Sequence, residues 1–334
     1  MKVLLVGGTG VISTGVAAEV IALGMELWVL NRGNNPERLP REAHLITVDY
    51  DDADAVMAAI APHKFDTVVD FLNMTVAQVR KAVRIFDGHT DQYIQISSGT
   101  VYRKPLPSYI ITEDMPLGNL HSAYARNKLA SENELRMHIA AGFPGVIVRP
   151  SLTYSDFNLL TAMNSRKHPY TLVQRMRKGK PIVVHGDGTS LWTITHNTDF
   201  ARGIVGLFGN PKTIGEAFHI TSDEVLDWNT IYTDIAHAAG VEANLIHIAS
   251  DFIGEFDPNL RESLLGDHAV SAVFDNTKMK RFVPDFVCKV PFAEGARRSV
   301  AWFDADPAVR ETIDAEWDAQ MDRLVDLYQG KLRP

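Results

Sequence analysis

Residues 2–33 read KVLLVGGTGVISTGVAAEVIALGMELWVLNRG, and this stretch decides the fold. An apolar run at residues 3–6 leads directly into the glycine-rich turn Gly7-Gly8-Thr9-Gly10, which is followed by an alanine-rich helical pattern. Gly24 ends that pattern, and a second apolar run follows at residues 27–30. Strand, glycine turn, helix and strand in this order predict one βαβ unit whose turn can bind a dinucleotide.

The glycines of this turn have a physical role. Because they lack a Cβ, Gly7, Gly8 and Gly10 let the backbone turn tightly and approach a pyrophosphate. The N–H groups at the start of the following helix then meet its negative charge. Ser13 replaces the last glycine of the usual fingerprint and is small enough for helix and strand to pack closely. The cofactor contacts predicted here are Gly7, Thr9, Gly10, Val11 and Ile12.

Composition places the chain among ordinary globular proteins. Its 334 residues are 46% hydrophobic and 22% charged, which suffices for a large core. A net charge of −8 argues against nucleic-acid binding, which needs a concentrated basic surface. Cys288 is the single cysteine and cannot form an intramolecular disulfide, and no apolar segment reaches the roughly 20 residues of a membrane helix. We therefore expect a cytoplasmic protein without nucleic-acid or membrane partners.

Apolar runs alternate with helical patterns through the first half of the chain. The patterns predict strands near residues 45–48, 66–71, 93–96 and 146–148, and helices near residues 53–61, 76–86 and 121–141. Strands that are apolar throughout imply a parallel sheet covered on both faces. The prediction is a doubly wound α/β fold with a dinucleotide-binding domain at residues 1–150. Residues 151–334 are expected to form mainly a smaller substrate-binding lobe, with some strands and helices returning to the first domain.

Three side chains carry the predicted chemistry. Tyr124 and Lys128 are four residues apart on a predicted helix, so both leave the same face. A phenol has a pKa of about 10, but an adjacent ammonium and a positively charged nicotinamide both favour the phenolate. Tyr124 would take a proton from a substrate hydroxyl while hydride leaves the same carbon. Ser98, at the carboxyl end of a parallel strand, would hold the reacting oxygen.

When further motifs are considered together with these three side chains, the sequence resembles the extended short-chain dehydrogenase/reductase superfamily, in the branch of nucleotide-sugar epimerases and dehydratases. The motifs are GGTGVI at residues 7–12, Asp49, Ser97-Ser98 with Val101-Tyr102, YARNK at residues 124–128, Arg149-Pro150, and Gly186-Asp187-Gly188 followed by Asp199. The resemblance implies that Ser98, Tyr124 and Lys128 are the catalytic triad and that Lys128 also holds the nicotinamide ribose. The remaining cofactor contacts it implies are Asp49 and Tyr50 near the adenine, Phe71, Leu72 and Asn73 along the cofactor channel, Tyr124 itself, and Pro150. A homodimer is expected, because family members often pair through two helices, here near residues 76–87 and 124–141.

The residues after Ser98 limit the types of reaction that the resemblance implies. Family members that eliminate water or decarboxylate carry acidic residues there, whereas this chain has Gly99 and Thr100. The resemblance therefore implies reversible alcohol–ketone chemistry by an epimerase or a dehydrogenase/reductase.

The expected substrate is carbohydrate-like. Six residues after Gly186, nucleotide-sugar enzymes usually carry an arginine that clamps the diphosphate, and Trp192 stands there instead. An indole cannot pair with phosphate as a guanidinium does. Either Arg261 or the Arg166-Lys167-His168 segment supplies the charge instead, or the substrate is an unlinked sugar, sugar acid, polyol or sugar phosphate. Trp192 either belongs to the core or stacks on a sugar ring. The predicted substrate contacts are Ser98, Thr100, Ser151 and Trp192.

Asn31 and Arg32 bear on the choice of cofactor. No acidic residue ends the second strand, where NAD sites usually bind the ribose 2′-hydroxyl. Arg32 can pair with a 2′-phosphate, which favours NADP, and Asn31 can bind a bare ribose, while an exposed loop arginine is a third interpretation. NAD and NADP both stay open. The scattered histidines form no convincing metal set, and no metal ion is predicted.

A different class of function stays as the alternative. The Asn31-Arg32-Gly33 segment also resembles atypical superfamily members, including chloroplast stem-loop RNA-binding proteins, and fold alone does not determine function. The acidic composition and the complete set of Ser98, Tyr124 and Lys128 favour an enzyme.

Overall fold

A computed structural model describes residues 1–331. The strands are β1 (Lys2–Val6), β2 (Glu26–Asn31), β3 (His44–Thr47), β4 (Thr67–Asp70), β5 (Tyr93–Ile96), β6 (Ile110–Ile111), β7 (Gly145–Pro150), β8 (Leu152–Tyr154), β9 (Ile182–His185), β10 (Leu191–Trp192), β11 (Ile194–His196), β12 (Ala217–Ile220), β13 (Leu226–Asp227), β14 (Leu245–Ile248) and β15 (Val273–Phe274).

The helices alternate with the central strands in the first half of the chain and cluster in the second. They are α1 (Val11–Ala22), α2 (Ala53–Ile60), α3 (Val76–Phe86), α4 (Ala123–Ala140), α5 (Thr171–Arg177), α6 (Asn197–Val205), α7 (Trp228–Ala238), α8 (Ser250–Phe256), α9 (Pro258–Ser263), α10 (Thr277–Phe282), α11 (Phe292–Ala305), α12 (Pro307–Glu311) and α13 (Ala315–Tyr328). Short 3₁₀ turns lie at Pro36–Arg38, Gly99–Val101 and Pro211–Thr213, and a π-helical turn at Leu264–His268.

Seven strands form one parallel sheet in the order β12-β7-β5-β4-β1-β2-β3. The strands β4, β5 and β7 are buried along their whole length, as expected for a sheet covered by helices on both faces. The doubly wound α/β fold predicted from the sequence is therefore confirmed.

The strand order reverses at β1, which lies between β2 and β4. In register, Val6 of β1 is opposite Leu30 of β2 on one side and Asp70 of β4 on the other. The loops that follow β1, β2 and β4 therefore open onto one crevice at the carboxyl edge of the sheet. Open parallel sheets bind their ligands at such a switch point.

Each half of the chain contributes one strand that pairs with a strand of the other half. β12 returns to the sheet and pairs with β7, with Phe218 opposite Val148. In the opposite direction, β6 leaves the first half of the chain and pairs with β15, with Ile111 opposite Phe274. The loop that carries β6 therefore joins the first half of the chain to the segment that contains β15. No helix within residues 1–331 combines the length and apolar character needed to cross a membrane.

Candidate active site

The glycine-rich turn after β1 has a backbone that only glycine adopts without strain. Gly7 and Gly8 have φ values of +113° and +90°. A Cβ on Gly8 would lie 2.5 Å from Cγ1 of Val29, and one on Gly7 would lie 3.4 Å from Cδ2 of Leu72. Phe71 and Leu72 thus pack directly against the turn, which brings two of the predicted channel residues to the crevice.

Ser13 and Gly15 together permit the close packing of α1 for which the last glycine of the fingerprint is usually needed. Ser13 is buried, and its Oγ accepts a 2.8 Å hydrogen bond from the N–H of Gly10. A Cβ on Gly15 would lie 2.7 Å from the carbonyl oxygen of Asn197, so Gly15 permits the close contact of α1 with α6. Asn197 Nδ2 in turn donates to the carbonyl of Val11 at 2.9 Å. Sequence reasoning did not single out Gly15, although a glycine inside an alanine-rich helix was the available signal.

Ser98, Tyr124 and Lys128 lie together where β5 ends and α4 begins. Ser122 caps α4, because its Oγ accepts a hydrogen bond from the N–H of Ala125 at 3.2 Å. Lys128 Nζ lies 5.9 Å from the centre of the Tyr124 ring. The Ser98 hydroxyl is close enough to Tyr124 to lower the pKa of the phenol, against the larger raising effect of burial. The structure thus brings the three predicted catalytic side chains to one point of the crevice.

Tyr124 is accessible from the cleft. Its residue surface is 42% exposed, although the phenol is sufficiently enclosed for burial to raise its pKa. A neutral phenol in the free protein follows from this pKa. A substrate can therefore reach the Tyr124 ring, while ionisation of its hydroxyl requires neighbouring positive charge.

Ser98 is held so that its proton is available. Its Oγ accepts hydrogen bonds from the N–H of Thr100 at 3.2 Å and from the hydroxyl of Thr100 at 3.0 Å. Because a hydroxyl oxygen that accepts two hydrogen bonds still has its own proton to donate, Ser98 can donate to an oxygen in the cleft. Thr100, a predicted substrate contact, orients Ser98 in this structure.

Lys128 is almost completely buried beneath Tyr124. Its Nζ donates 2.8 Å hydrogen bonds to the carbonyls of Asn73 and Ile96. Since an ammonium has three N–H donors, one remains for a ligand. Burial lowers the pKa of Lys128 to about 8, although the carboxylates of Asp70 and Glu132 act in the opposite direction.

The pKa of Lys128 predicts a pH dependence of stability. A lysine in the unfolded chain has a pKa of about 10.4, so between that value and the folded pKa of about 8 the unfolded chain binds more protons. The contribution of Lys128 to the free energy of unfolding therefore rises with pH in this window, by at most about 1.4 kcal/mol per pH unit. Urea unfolding of wild type and Lys128→Met across the window measures it, because methionine does not titrate. A pH-independent difference between the two proteins would contradict the prediction.

A buried ionic network supports α4 from below. Arg149 of β7 forms a two-pronged salt bridge with Glu132 of α4, with Nε–Oε1 and Nη2–Oε2 distances of 2.9 and 2.7 Å. Both side chains are inaccessible to solvent. The hydroxyl of Ser97 donates to Glu132, and Arg149 Nη1 donates to the hydroxyl of Tyr102 at 2.8 Å. Sequence reasoning missed Glu132, although it continues the four-residue spacing of Tyr124 and Lys128 on the same helix face.

Asp70, also missed from the sequence, orders the loop after β4. Its buried carboxylate accepts hydrogen bonds from the hydroxyls of Tyr50 and Tyr93 and from the N–H groups of Leu72 and Asn73. Burial raises the pKa of Asp70, whereas these hydrogen bonds lower it. Tyr50 is thereby fixed in the interior, while Asp49 is exposed and accepts a hydrogen bond from the N–H of Asp51.

The loop after β2 lies over the glycine turn. Asn31 Oδ1 accepts a hydrogen bond from the N–H of Gly33 at 2.8 Å, and Arg32 is exposed. Arg38, which sequence reasoning did not single out, donates from Nη1 to the carbonyl of Thr9 at 3.4 Å. Its guanidinium also lies 5.1 Å from the centre of the Phe157 ring. Two arginines therefore border the crevice at the end of β2.

The remaining predicted substrate residues occupy different environments. Trp192 is only 1% exposed and packs against Trp228 and His268, so the core interpretation describes its position and no ring face is open to a sugar. Ser151 Oγ lies 3.3 Å from Oγ1 of Thr195. Pro150 ends β7, and its carbonyl oxygen would be 3.3 Å from a Cβ on residue 99.

Gly99 has no room for a side chain. A Cβ there would lie 2.5 Å from Cζ of Phe274. An acidic residue of the kind expected in dehydratases therefore does not fit at this position without movement of the ring. Among residues 1–331, no group of three or more histidine, cysteine, aspartate or glutamate side chains is placed to bind a metal ion.

The crevice fits a dinucleotide. Gly7 and Gly8 form a tight turn with positive φ values and no side chains at the switch point, and Lys128 retains one N–H donor. Asn73 Oδ1 is buried without a hydrogen-bond partner in the described part of the chain. A parallel sheet with this glycine turn at its switch point defines the class of Rossmann-type dinucleotide-binding proteins.

Comparison with known families agrees with this class. Residues 3–221, which contain the central sheet apart from Lys2, match the NAD dependent epimerase/dehydratase family. The chain belongs to this family, within the extended short-chain dehydrogenase/reductases. The resemblance inferred from the sequence is therefore confirmed.

Individual relatives differ in their described activities. The chain is 26% identical to 2′-dehydrokanamycin reductase of Streptomyces kanamyceticus over 290 residues, which is 86% of this chain and 80% of the relative. It is 24% identical to chloroplast stem-loop binding protein of 41 kDa b of Arabidopsis thaliana over 260 residues, 74% of this chain and 65% of that protein. Among solved structures, an epimerase of Methanothermobacter thermautotrophicus has a TM-score of 0.75 at 18% identity, covering 93% of this chain and 95% of its own. The last comparison supports the fold alone.

Proposed function

We propose that this protein uses NAD or NADP to interconvert a secondary alcohol and a ketone on a carbohydrate-like substrate. The observation that carries the proposal is the convergence of Ser98, Tyr124 and Lys128 beside the dinucleotide crevice. Family membership and the relative named as 2′-dehydrokanamycin reductase support sugar-related oxidation or reduction.

The roles of the side chains follow from their protons. In the oxidising direction, the Tyr124 phenolate accepts the proton of the substrate hydroxyl, and Ser98 donates a hydrogen bond to the same oxygen. Lys128 contributes the positive charge that lowers the cost of ionising a buried phenol. When bound, NAD or NADP accepts or supplies the hydride. In the reducing direction, Tyr124 returns its proton to the carbonyl oxygen.

The test is turnover of a panel of cyclic ketones and sugar-derived alcohols with each dinucleotide, monitored by nicotinamide absorbance in wild type and Tyr124→Phe. Turnover that requires Tyr124 supports the proposal, and turnover that is unchanged without it refutes the assigned mechanism. Elimination is not expected, since Gly99 admits no carboxylate. A dehydrated or decarboxylated product formed at a retained rate would argue against alcohol–ketone chemistry.

Mass spectrometry of the nucleotide released on denaturation separates two forms of this activity. Tightly retained NAD favours an epimerase, because the hydride then returns to the same substrate. Cofactor that exchanges with solution favours a dehydrogenase or reductase.

Arg32 is proposed to favour NADP. Arg32→Ala is expected to weaken NADP binding by about tenfold and to leave NAD binding unchanged, because one charge-assisted hydrogen bond contributes about 1.5 kcal/mol. Calorimetric titration with each dinucleotide measures the two affinities. Arg84→Ala is the matched control, since Arg84 is exposed and pairs with Asp54. Equal NADP affinity in Arg32→Ala and wild type would remove the proposed phosphate contact.

RNA binding remains the alternative function, favoured by the similarity to the chloroplast stem-loop binding protein. The net charge of −8 disfavours it. A gel shift with stem-loop RNA at increasing salt distinguishes RNA binding from the proposed enzyme activity, because phosphate contacts weaken steeply with salt.

A homodimer through α3 and α4 is also proposed. Within one chain these helices pack side by side, and Arg80 pairs with Glu134 at 2.7 Å, so both helices lie together as the proposed pairing requires.

A further inference from the structure

A segment distant in sequence closes one side of the cleft around Tyr124. The π-helical turn Leu264–His268 packs on the start of α4, where a Cβ on Gly266 would lie 3.2 Å from Cβ of Ser122. Asn119 ties this turn to the loop after β5, because its Nδ2 donates to the carbonyls of Gly266 at 2.6 Å and Thr100 at 2.9 Å. Single π-helical turns occur frequently at functional sites. Asp267 is thereby placed beside the catalytic residues.

Lys104 lies on the loop that leads to β6, and its side chain is close to Asp267. The Lys104 residue is 8% exposed, and 15% of the Asp267 side chain is exposed. Lys104 Nζ lies 3.8 Å from Oδ1 of Asp267, which is longer than a hydrogen bond. Within residues 1–331, neither charged group makes a side-chain hydrogen bond within 3.5 Å.

This arrangement is unusual for two nearly buried charges. Buried ionic groups are normally satisfied by short hydrogen bonds, as Glu132 and Arg149 are in the same protein. Burial lowers the pKa of Lys104 and raises that of Asp267 to about 6, with the opposite charge acting against burial in each case. After the effects of burial and Ser98, the Asp267 carboxylate also raises the pKa of Tyr124. Asp267 is therefore near Tyr124, and the pair retains free hydrogen-bonding capacity.

We propose that Lys104 and Asp267 together bind two neighbouring hydroxyl groups of the substrate, next to the carbon that reacts at Tyr124. The Lys104 ammonium donates to one hydroxyl oxygen, and the second hydroxyl donates to the Asp267 carboxylate. This site rests on the proposed function and specifies its substrate as one that carries a vicinal diol next to the reacting carbinol or ketone carbon.

The pair selects neutral hydroxyls over charged substituents. An ammonium brought to Asp267 meets the like charge of Lys104, and a carboxylate brought to Lys104 meets Asp267. A vicinal diol provides a donor and an acceptor without adding charge. Trp192, at the position where the family resemblance implies a diphosphate-binding arginine, agrees with a substrate recognised through its ring hydroxyls.

The test compares ligands built on one ring: trans-1,2-cyclohexanediol, cyclohexanol and trans-2-aminocyclohexanol. Their affinities are measured by saturation-transfer NMR on the full chain with saturating NAD⁺, and again with NADP⁺. We expect the diol to bind about tenfold more tightly than cyclohexanol, because its second hydroxyl gains one further hydrogen bond to a charged group. The amino alcohol should bind no better than the diol. Lys104→Met and Asp267→Asn should each reduce the preference for the diol to within about threefold.

Matched controls separate this site from a general change of charge and from the proposed reaction. Lys64→Met and Asp91→Asn alter an exposed ion pair and should leave the diol preference unchanged. Tyr124→Phe should retain the diol preference even where turnover is lost, so failure of the reaction and failure of this site give different results. Wild type that binds the diol no better than cyclohexanol would overturn the proposal. Full diol preference in either Lys104→Met or Asp267→Asn would overturn it equally.

Discussion

Tyr124→Phe is expected to reduce kcat by about 10²- to 10⁴-fold, the range that a positioned general acid or base contributes. Phenylalanine preserves the ring that is exposed to the cleft but removes the hydroxyl that transfers the proton. Dinucleotide affinity should stay within about twofold, because the glycine turn and the buried Lys128 are untouched. Steady-state kinetics with the best substrate of the panel, together with calorimetric titration of the dinucleotide, measure both quantities.

Tyr328→Phe is the control for this substitution. Tyr328 is also partly exposed, at the end of α13, and has no place in the proposed reaction. Its removal should leave kcat unchanged. If Tyr124→Phe retains full turnover, the proton transfer occurs elsewhere and the assignment of Tyr124 is wrong.

Glu132→Gln is expected to lower the free energy of unfolding by about 3–5 kcal/mol. The substitution keeps the size of the side chain but leaves the Arg149 guanidinium buried without its counter-ion. Ser97 and Tyr102 also lose part of their hydrogen-bonding network. Urea unfolding followed by circular dichroism measures the loss.

The exposed ion pair of Arg84 and Asp54 is the control for Glu132→Gln. Asp54→Asn removes the partner of Arg84, and both of these side chains are exposed, so a change of about 0.5 kcal/mol or less is expected. Replacing both Glu132 and Arg149 by apolar residues should recover part of the loss, because no uncompensated charge remains. Equal losses for Glu132→Gln and Asp54→Asn would show that the buried pair has no special role.

Local patterns were sufficient for the first part of the fold. The apolar run at residues 3–6 predicts β1, observed at Lys2–Val6, and the helical pattern at residues 76–86 coincides with α3. Such signals arise from neighbours along the chain, whose side-chain periodicity depends only on helix or strand geometry. The pairing of β12 with β7 could not be predicted from such local patterns, since it joins segments from the two halves of the chain.

The residues of the candidate site also fall into those that local patterns predict and those that they do not. Tyr124 and Lys128 could be paired from their spacing on one helix, and Ser98 from its place after a strand. Asp70, Lys104 and Asp267 could not be recognised. Each is an ordinary charged residue in sequence and becomes distinctive only through burial and through neighbours distant in the chain.

The sequence by itself determined the glycine turn and the helix that presents Tyr124, because glycine conformation and helical spacing are local properties. The tertiary structure alone decided what surrounds them. It buried Trp192 in an aromatic core, excluded a side chain at Gly99 through Phe274, and brought Asp267 near Tyr124. These outcomes depend on long-range packing, since burial changes the cost of a charge and the space for a side chain only once distant segments meet.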